Sequence, residues 1–215
     1  MERTGLKITE IFHSIQGEST FSGLPTVFIR LTGCPLRCTW CDTEYSFSGG
    51  KWFEIEEILQ EVRKYKTPYV CVTGGEPLSQ KRCLNLLDLL VEHGFTVSLE
   101  TSGALPISDV NDKVVIVMDL KAPGSGELQS NHFENINYLD SKDQVKFVIK
   151  DRADYHWALE IIERYNLTDM CEILFSPVAG EIDPANLAQW MLDDNVLARL
   201  QLQMHKILWN DSQGR

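Results

Sequence analysis

Three cysteines, Cys34, Cys38 and Cys41, stand in the run Gly33-Cys34-Pro35-Leu36-Arg37-Cys38-Thr39-Trp40-Cys41-Asp42-Thr43, spaced C-x3-C-x2-C with no further Cys or His nearby. Iron–sulfur clusters are commonly held by four thiolates, so three of them on a four-iron cube leave one iron open to a chelating cofactor. Structural zinc is the competing reading of clustered cysteines, but it takes four protein ligands and finds no fourth here. A second run, Thr73-Gly74-Gly75-Glu76-Pro77, follows the apolar Tyr69-Val70-Cys71-Val72. Two glycines let backbone carbonyls approach an ammonium closely, and the Glu76 carboxylate can neutralise it. Taken alone, the same turn also reads as a plain strand-to-helix loop.

The chain that carries these runs has 215 residues, 43% hydrophobic and 24% charged, as one soluble globular domain with a sizeable core would have. A net charge of −11 argues against a nucleic-acid surface, which needs clustered Lys and Arg. The densest basic stretch, Arg63-Lys64-Tyr65-Lys66, reads as the positive C-terminal end of a helix. The first residues lack an apolar signal core and the longest apolar runs are about five residues, so neither a leader nor a membrane span is expected. A cytoplasmic protein follows, in a reducing compartment that suits free thiolates. Cys71, Cys83 and Cys171 lie in apolar strand-like or helical stretches and are expected to be small buried hydrophobes.

The rest of the chain alternates strands and helices. Residues 25–31 have the β-branched and aromatic bias of a strand that ends at the cysteine loop. Ile55, Ile58, Leu59 and Val62 repeat at helical spacing within 54–64, and a helix over 81–93 is stopped by Gly94. Strands are expected over 69–73, 95–100, 114–120, 145–149 and 171–175. Helices are expected over 153–165 and from Pro184 to about 194, with proline at the first position. Such alternation implies right-handed βαβ units around a parallel sheet. About six units are recognisable, and a full eight-unit barrel takes about 250 residues, which predicts an incomplete barrel; a doubly wound open sheet is the alternative. The cysteine loop, Thr73-Gly74-Gly75, Glu100-Thr101 and Asp119-Leu120-Lys121 would all fall at C-terminal strand ends, where barrels of this kind place their sites.

The cysteine spacing, the Trp40-Cys41-Asp42 step and the Gly-Gly-Glu-Pro turn together resemble the radical S-adenosylmethionine (SAM) superfamily. Ile15-Gln16-Gly17-Glu18, Arg30, Cys41-Asp42-Thr43 and Gln203-Met204-His205-Lys206 extend the likeness, in order and over most of the chain, to the 7-carboxy-7-deazaguanine synthase family. The resemblance implies an α/β fold, an incomplete (βα)6-type radical SAM barrel, as a single core domain over 1–215 with short N- and C-terminal extensions. It implies a carbon–nitrogen lyase of deazapurine and queuosine precursor biosynthesis. The reaction would contract 6-carboxy-5,6,7,8-tetrahydropterin to 7-carboxy-7-deazaguanine with loss of ammonia. It also implies a homodimer with a 4Fe-4S cluster, SAM and magnesium (Mg2+), reduced by an external donor such as flavodoxin or ferredoxin.

By the same resemblance, Cys34, Cys38 and Cys41 hold the cluster and the Thr43 hydroxyl contacts magnesium. Trp40, Cys41, Asp42, Gly74, Gly75, Glu76, Glu100, Asp119, Leu120 and Lys121 bind SAM. Ile15, Gln16, Gly17, Glu18, Arg30, Thr73 and His205 meet the pterin. Residue chemistry agrees with the last set: a pterin's amino–amide edge seeks carboxylate, amide or backbone acceptors, and its carboxylate seeks a guanidinium fork. The plainer readings are a solvated loop acid for Glu18, a surface-covering stem for Arg30, a turn cap for Asp119 and a strand-end histidine for His205. Relatives can end soon after the His-Lys pair with a terminal proline on the substrate, whereas this chain continues Ile207-Leu208-Trp209. Trp209 is then a pocket-closing residue or an apolar plug. Another small radical SAM enzyme, such as an activase for a glycyl radical partner, and a non-catalytic metal-binding module are the rival functions.

Overall fold

The computed structural model describes residues 5–210, 212 and 214. Strand β1 (Leu6–Ile15) turns back into β2 (Pro25–Leu31), and β3 (Lys51–Phe53) pairs with the outer edge of β1. Then come α1 (Ile55–Val62), β4 (Tyr69–Gly74), α2 (Cys83–Glu92), β5 (Thr96–Thr101), β6 (Val115–Leu120) and β7 (Gln144–Ile149). The chain closes with α3 (Arg152–Tyr165), β8 (Glu172–Pro177), α4 (Pro184–Asp193), β9 (Arg199–Leu200) and α5 (Met204–Trp209).

One sheet runs β3-β1-β2-β4-β5-β6-β7-β8-β9, parallel from β2 onward. Strand order follows chain order through the whole parallel part, so right-handed crossovers deliver every helix to the same face. A doubly wound sheet would reverse direction and cover both faces. Edge strands β3 and β9 do not pair with each other, which leaves the barrel incomplete, as the unit count predicts.

The helices begin and end where local chemistry dictates. Asp183 accepts from Ala185 N at 2.9 Å ahead of Pro184, and Gly94 takes φ +80° just beyond α2. Cys71, Cys83 and Cys171 are buried, as their apolar neighbours predict. The strand–helix rhythm is corrected in two places: neither 102–114 nor 121–143 contains an α-helix, and the second is built from 3-10 turns. Pro123, Gly124, Gly126, Ser130, Asn131 and Asn135 in that stretch favour turns and local side-chain bonds over a continuous helix.

Strands β1, β3 and β9 and helix α5 have no counterpart among the sequence-predicted elements. In β1 the register slips between Ile8 and Glu10, which shifts the apolar positions from one parity to the other and erases the period-2 pattern. Helix α5 buries none of its residues, so it carries no amphipathic stripe. Among the described residues no helix is long and apolar enough to cross a membrane.

Candidate active site

Each parallel strand has a core parity and a cavity parity. Val27, Ile29 and Leu31 of β2, Val70 and Val72 of β4, and Val97 and Leu99 of β5 pack under α1 and α2. Met118 and Leu120 of β6, Val145 and Phe147 of β7, and Ile173 and Phe175 of β8 pack under α3 and α4. Residues of opposite parity, Phe28 and Arg30, Thr73, Glu100, Val117 and Asp119, Lys146 and Val148, and Ser176, line a single cavity of about 510 Å³. Registry sets them side by side: Arg30 lies beside Thr73 and Asp119 beside Lys146.

The cysteine loop roofs one end of this cavity, and its shape is fixed from three sides. Gly33, at φ +103°, donates to Ser46 O at 2.8 Å and accepts from Glu76 N at 2.8 Å. Arg37 N donates to Glu127 Oε1 at 2.6 Å, and Thr39 N donates to Ser125 O at 3.0 Å. A Cβ on Gly75 would collide with Gly33 O and Cys34 Cβ, so that glycine is required for the two loops to meet. The thiols of Cys34, Cys38 and Cys41 are free, partly exposed, and all line the cavity. Burial pushes the Cys34 and Cys38 thiols up, so metal binding is what would deprotonate them. Among the described residues no three His, Cys, Asp or Glu side chains are grouped to hold a single ion, which is not the layout of a mononuclear zinc site.

A buried charge chain lines the same cavity. Glu18 is held by Lys146 Nζ on Oε2 at 2.8 Å and by Gln203 Nε2 on Oε1 at 2.8 Å. Burial alone would raise the Glu18 carboxyl, but the Lys146 ammonium, together with the Gln203 hydrogen bond and His205, outweighs it and holds it at about 2. The solvated-acid reading of Glu18 is thereby replaced. Lys146 also stands 3.7 Å from Asp119 Oδ2, which Lys121 Nζ meets at 2.9 Å. Asp119 Oδ1 remains a buried acceptor with no protein donor among the described residues, so Asp119 is not a simple turn cap.

Gln16 Nε2 donates to Glu100 Oε1 at 3.2 Å and Thr73 Oγ1 donates to Glu100 Oε2 at 2.9 Å, which places Glu100 with the Gln16 turn. Arg30 Nε donates to Glu10 Oε1 at 2.7 Å, and Tyr45 OH donates to the same oxygen at 2.8 Å. The guanidinium lies over the Phe12 ring at 5.8 Å, and Phe12 stacks on Phe28 at 4.9 Å. Its two terminal amino groups make no protein hydrogen bond among the described residues and stay available as a fork.

Every sequence-predicted site residue lines this cavity except Glu76 and Leu120. Leu120 has the core parity of β6 and is wholly buried under the helices. The Glu76 carboxylate, also wholly buried, accepts from Leu78 N at 2.9 Å, Ser102 N at 2.7 Å, Ser102 Oγ at 2.5 Å and Thr101 Oγ1 at 3.0 Å. It braces the glycine turn against the end of β5, which corrects its expected place against a ligand's ammonium. His205 is in α5, not at a strand end, and a Cβ on Gly17 would collide with it. Trp209 does not line the cavity. Lys146 was missed from sequence, although a lone cation inside Gln144-Val145-Lys146-Phe147-Val148-Ile149 is the signal that marks it. Glu10 and Tyr45, the partners that orient Arg30, were missed as well.

The Radical SAM superfamily model matches residues 28–168. The 7-carboxy-7-deazaguanine synthase of Koribacter versatilis is 43% identical over 95% of this chain and 97% of its own length. That of Chlorobaculum tepidum is 42% identical over 97% of each. This chain belongs to the 7-carboxy-7-deazaguanine synthase family. The crystal structure of QueE from Escherichia coli superposes with a TM-score of 0.77 at 26% identity, covering 94% of this chain and 96% of that one. Streptococcus suis SuiB bound to S-adenosylmethionine shares the fold alone, with a TM-score of 0.57 at 14% identity over 80% of this chain and 44% of its own. Membership in the synthase family displaces both the activase and the non-catalytic metal module as readings. Radical SAM membership brings a 4Fe-4S cluster and SAM. The cavity fits both, since three free thiols open into it beside an unsatisfied Asp119 oxygen that can accept from a ligand's donors.

Proposed function

We propose that this deazapurine-pathway enzyme converts 6-carboxy-5,6,7,8-tetrahydropterin to 7-carboxy-7-deazaguanine with loss of ammonia. The observation that carries the reading is a single cavity lined both by three free thiols and by Arg30, Gln16 and Glu18. Cys34, Cys38 and Cys41 would hold the cluster, and Trp40, Asp42, Gly74, Gly75, Asp119 and Lys121 would surround SAM. Bound there, the cluster and SAM supply a carbon radical able to take hydrogen from the pterin ring. The chain's own part is to bind, orient and shield. Arg30 offers the fork for the pterin carboxylate, while Gln16, Gly17, Glu18 and Thr73 take its amino–amide edge, with Ile15 and His205 closing around it. Anaerobic reconstitution with the pterin, SAM and a reductant, followed by mass spectrometry, tests the reading; no product from cluster-replete protein refutes it. A homodimer is carried over from the family and is checked by the mass of the holoenzyme in solution.

Arg30→Lys keeps the charge but loses the bidentate geometry. Pterin KM is expected to rise by roughly tenfold, the size of one charge-assisted hydrogen bond, with cluster content and SAM affinity kept. Unchanged turnover at limiting pterin would return Arg30 to a structural ion pair with Glu10.

For magnesium, Thr43 lines the cavity, and among the described residues its Oγ1 has only the Cys41 sulfur, at 3.7 Å, as a side-chain hydrogen-bond partner. One hydroxyl is too few ligands for a hard dication, so substrate oxygens and water must complete the shell. Magnesium should therefore bind more tightly once pterin is present, and Thr43→Ala should blunt magnesium stimulation while the cluster remains. Equal magnesium affinity with and without pterin would remove Thr43 as a ligand.

A further inference from the structure

Gln203 precedes α5, yet it touches two loops more than 160 residues away in sequence. Its Nε2 donates to Glu18 Oε1 at 2.8 Å and to Asp42 Oδ2 at 3.3 Å, so the two hydrogens of one amide serve two carboxylates that would otherwise repel. Lys206 Nζ meets the same Asp42 oxygen at 3.0 Å, and Met204 N donates to Gly17 O at 3.0 Å. No residue of α5 is buried, and Ile207 is 68% exposed. A six-residue helix does not persist on its own, so these polar bonds are what seat it.

Resting on the function proposed above, we infer that Gln203 is a positioning residue that couples the cysteine loop to the pterin turn, so that SAM and pterin bind cooperatively. Asp42 follows the last cluster cysteine and Glu18 ends the turn that meets the pterin. A ligand that orders either loop fixes one side of the Gln203 bridge and lowers the entropic cost of ordering the other. Lys206 strengthens the Asp42 side only.

The test is calorimetric titration of SAM into reconstituted holoenzyme with its cluster oxidised, so that SAM is not cleaved, with and without the carboxytetrahydropterin. The parent is expected to bind SAM about tenfold more tightly when pterin is present. Gln203→Ala should lose that factor while keeping its cluster and its pterin-free SAM affinity, a split that general loosening would not give. Gln203→Lys, which returns a donor nitrogen between the same carboxylates, should restore it, and Lys206→Met should lose part of it. Coupling retained in Gln203→Ala, or absent in a parent that does bind pterin, overturns the inference and leaves the function standing. A parent that does not bind pterin refutes the function itself, and this inference with it.

Discussion

Replacing Cys38 by Ala is expected to abolish both the brown chromophore of the reconstituted protein and all cleavage of SAM. Cys38 is one of three thiols opening into the cavity, in a loop pinned by Gly33, Arg37 and Thr39. Three thiolates leave one iron of a four-iron cube open; two leave a second iron without a protein ligand and the cluster without its anchorage. Both losses must appear together, because the same iron assembly binds SAM and delivers the electron. Cys171→Ala is the control, since that thiol lies buried against the helices and outside the cavity. Formation of 5′-deoxyadenosine by Cys38→Ala, measured by chromatography after anaerobic reduction, would contradict the assignment of the three thiols.

The second large effect is expected at Lys146. Lys146→Met removes the cation between Glu18 and Asp119 and leaves two carboxylates in the cavity, with the Lys121 ammonium still paired to Asp119. Breaking one side of a buried ion pair costs about 3–5 kcal/mol, because the remaining charge is left uncompensated. For a domain of this size that corresponds to a fall in Tm of roughly 10 °C. Pterin turnover should fall at least about a hundredfold as Glu18 loses its orientation, while cluster content is kept because Lys146 does not touch the cysteine loop.

The pH dependence of the same variant has a defined sign. In the parent, Glu18 is held at about 2, below its ordinary 4.5, so its pairing stabilises the fold above pH 4.5 and that contribution fades as pH falls toward 2. Without Lys146, only Gln203 and His205 remain to oppose burial, so the Glu18 carboxyl moves up and its ionised form becomes costlier at neutral pH. The gap in Tm between parent and variant should be widest above about pH 5 and should narrow on acidification. A constant gap from pH 4 to 8 would show that lost packing of the lysine stem, not lost charge pairing, is responsible.

Sequence was most informative where chemistry is local. The C-x3-C-x2-C run, the Gly74-Gly75 turn and Gln16-Gly17-Glu18 stand out in the chain as local motifs, and each lines the cavity. The six central strands and the helices between them were also legible, because a parallel strand covered by helices on one face and turned inward on the other carries a mostly apolar run, and helix ends carry Asp183-Pro184 and Gly94 as local signals.

Tertiary structure decided what depends on parity and registry. Adjacent residues of one strand point to opposite faces, so Asp119 enters the cavity while Leu120 joins the core, although a motif reads them as one unit. Glu76 was expected to meet a ligand because it follows two glycines, yet four donors from Leu78, Thr101 and Ser102 close around it, and Thr101 and Ser102 are brought there by strand pairing that spacing does not encode. Lys146 and Gln203 became visible as site residues only when Glu18, 128 positions from one and 185 from the other, was brought between them. Helix α5 shows the limit most clearly: with nothing buried it leaves no periodic trace in the chain, and only the folded positions of Gly17 and Asp42 give it a place. A residue's type fixes what chemistry it can do, whereas its partners are fixed by contacts between distant segments, and these exist only once the sheet has set its register.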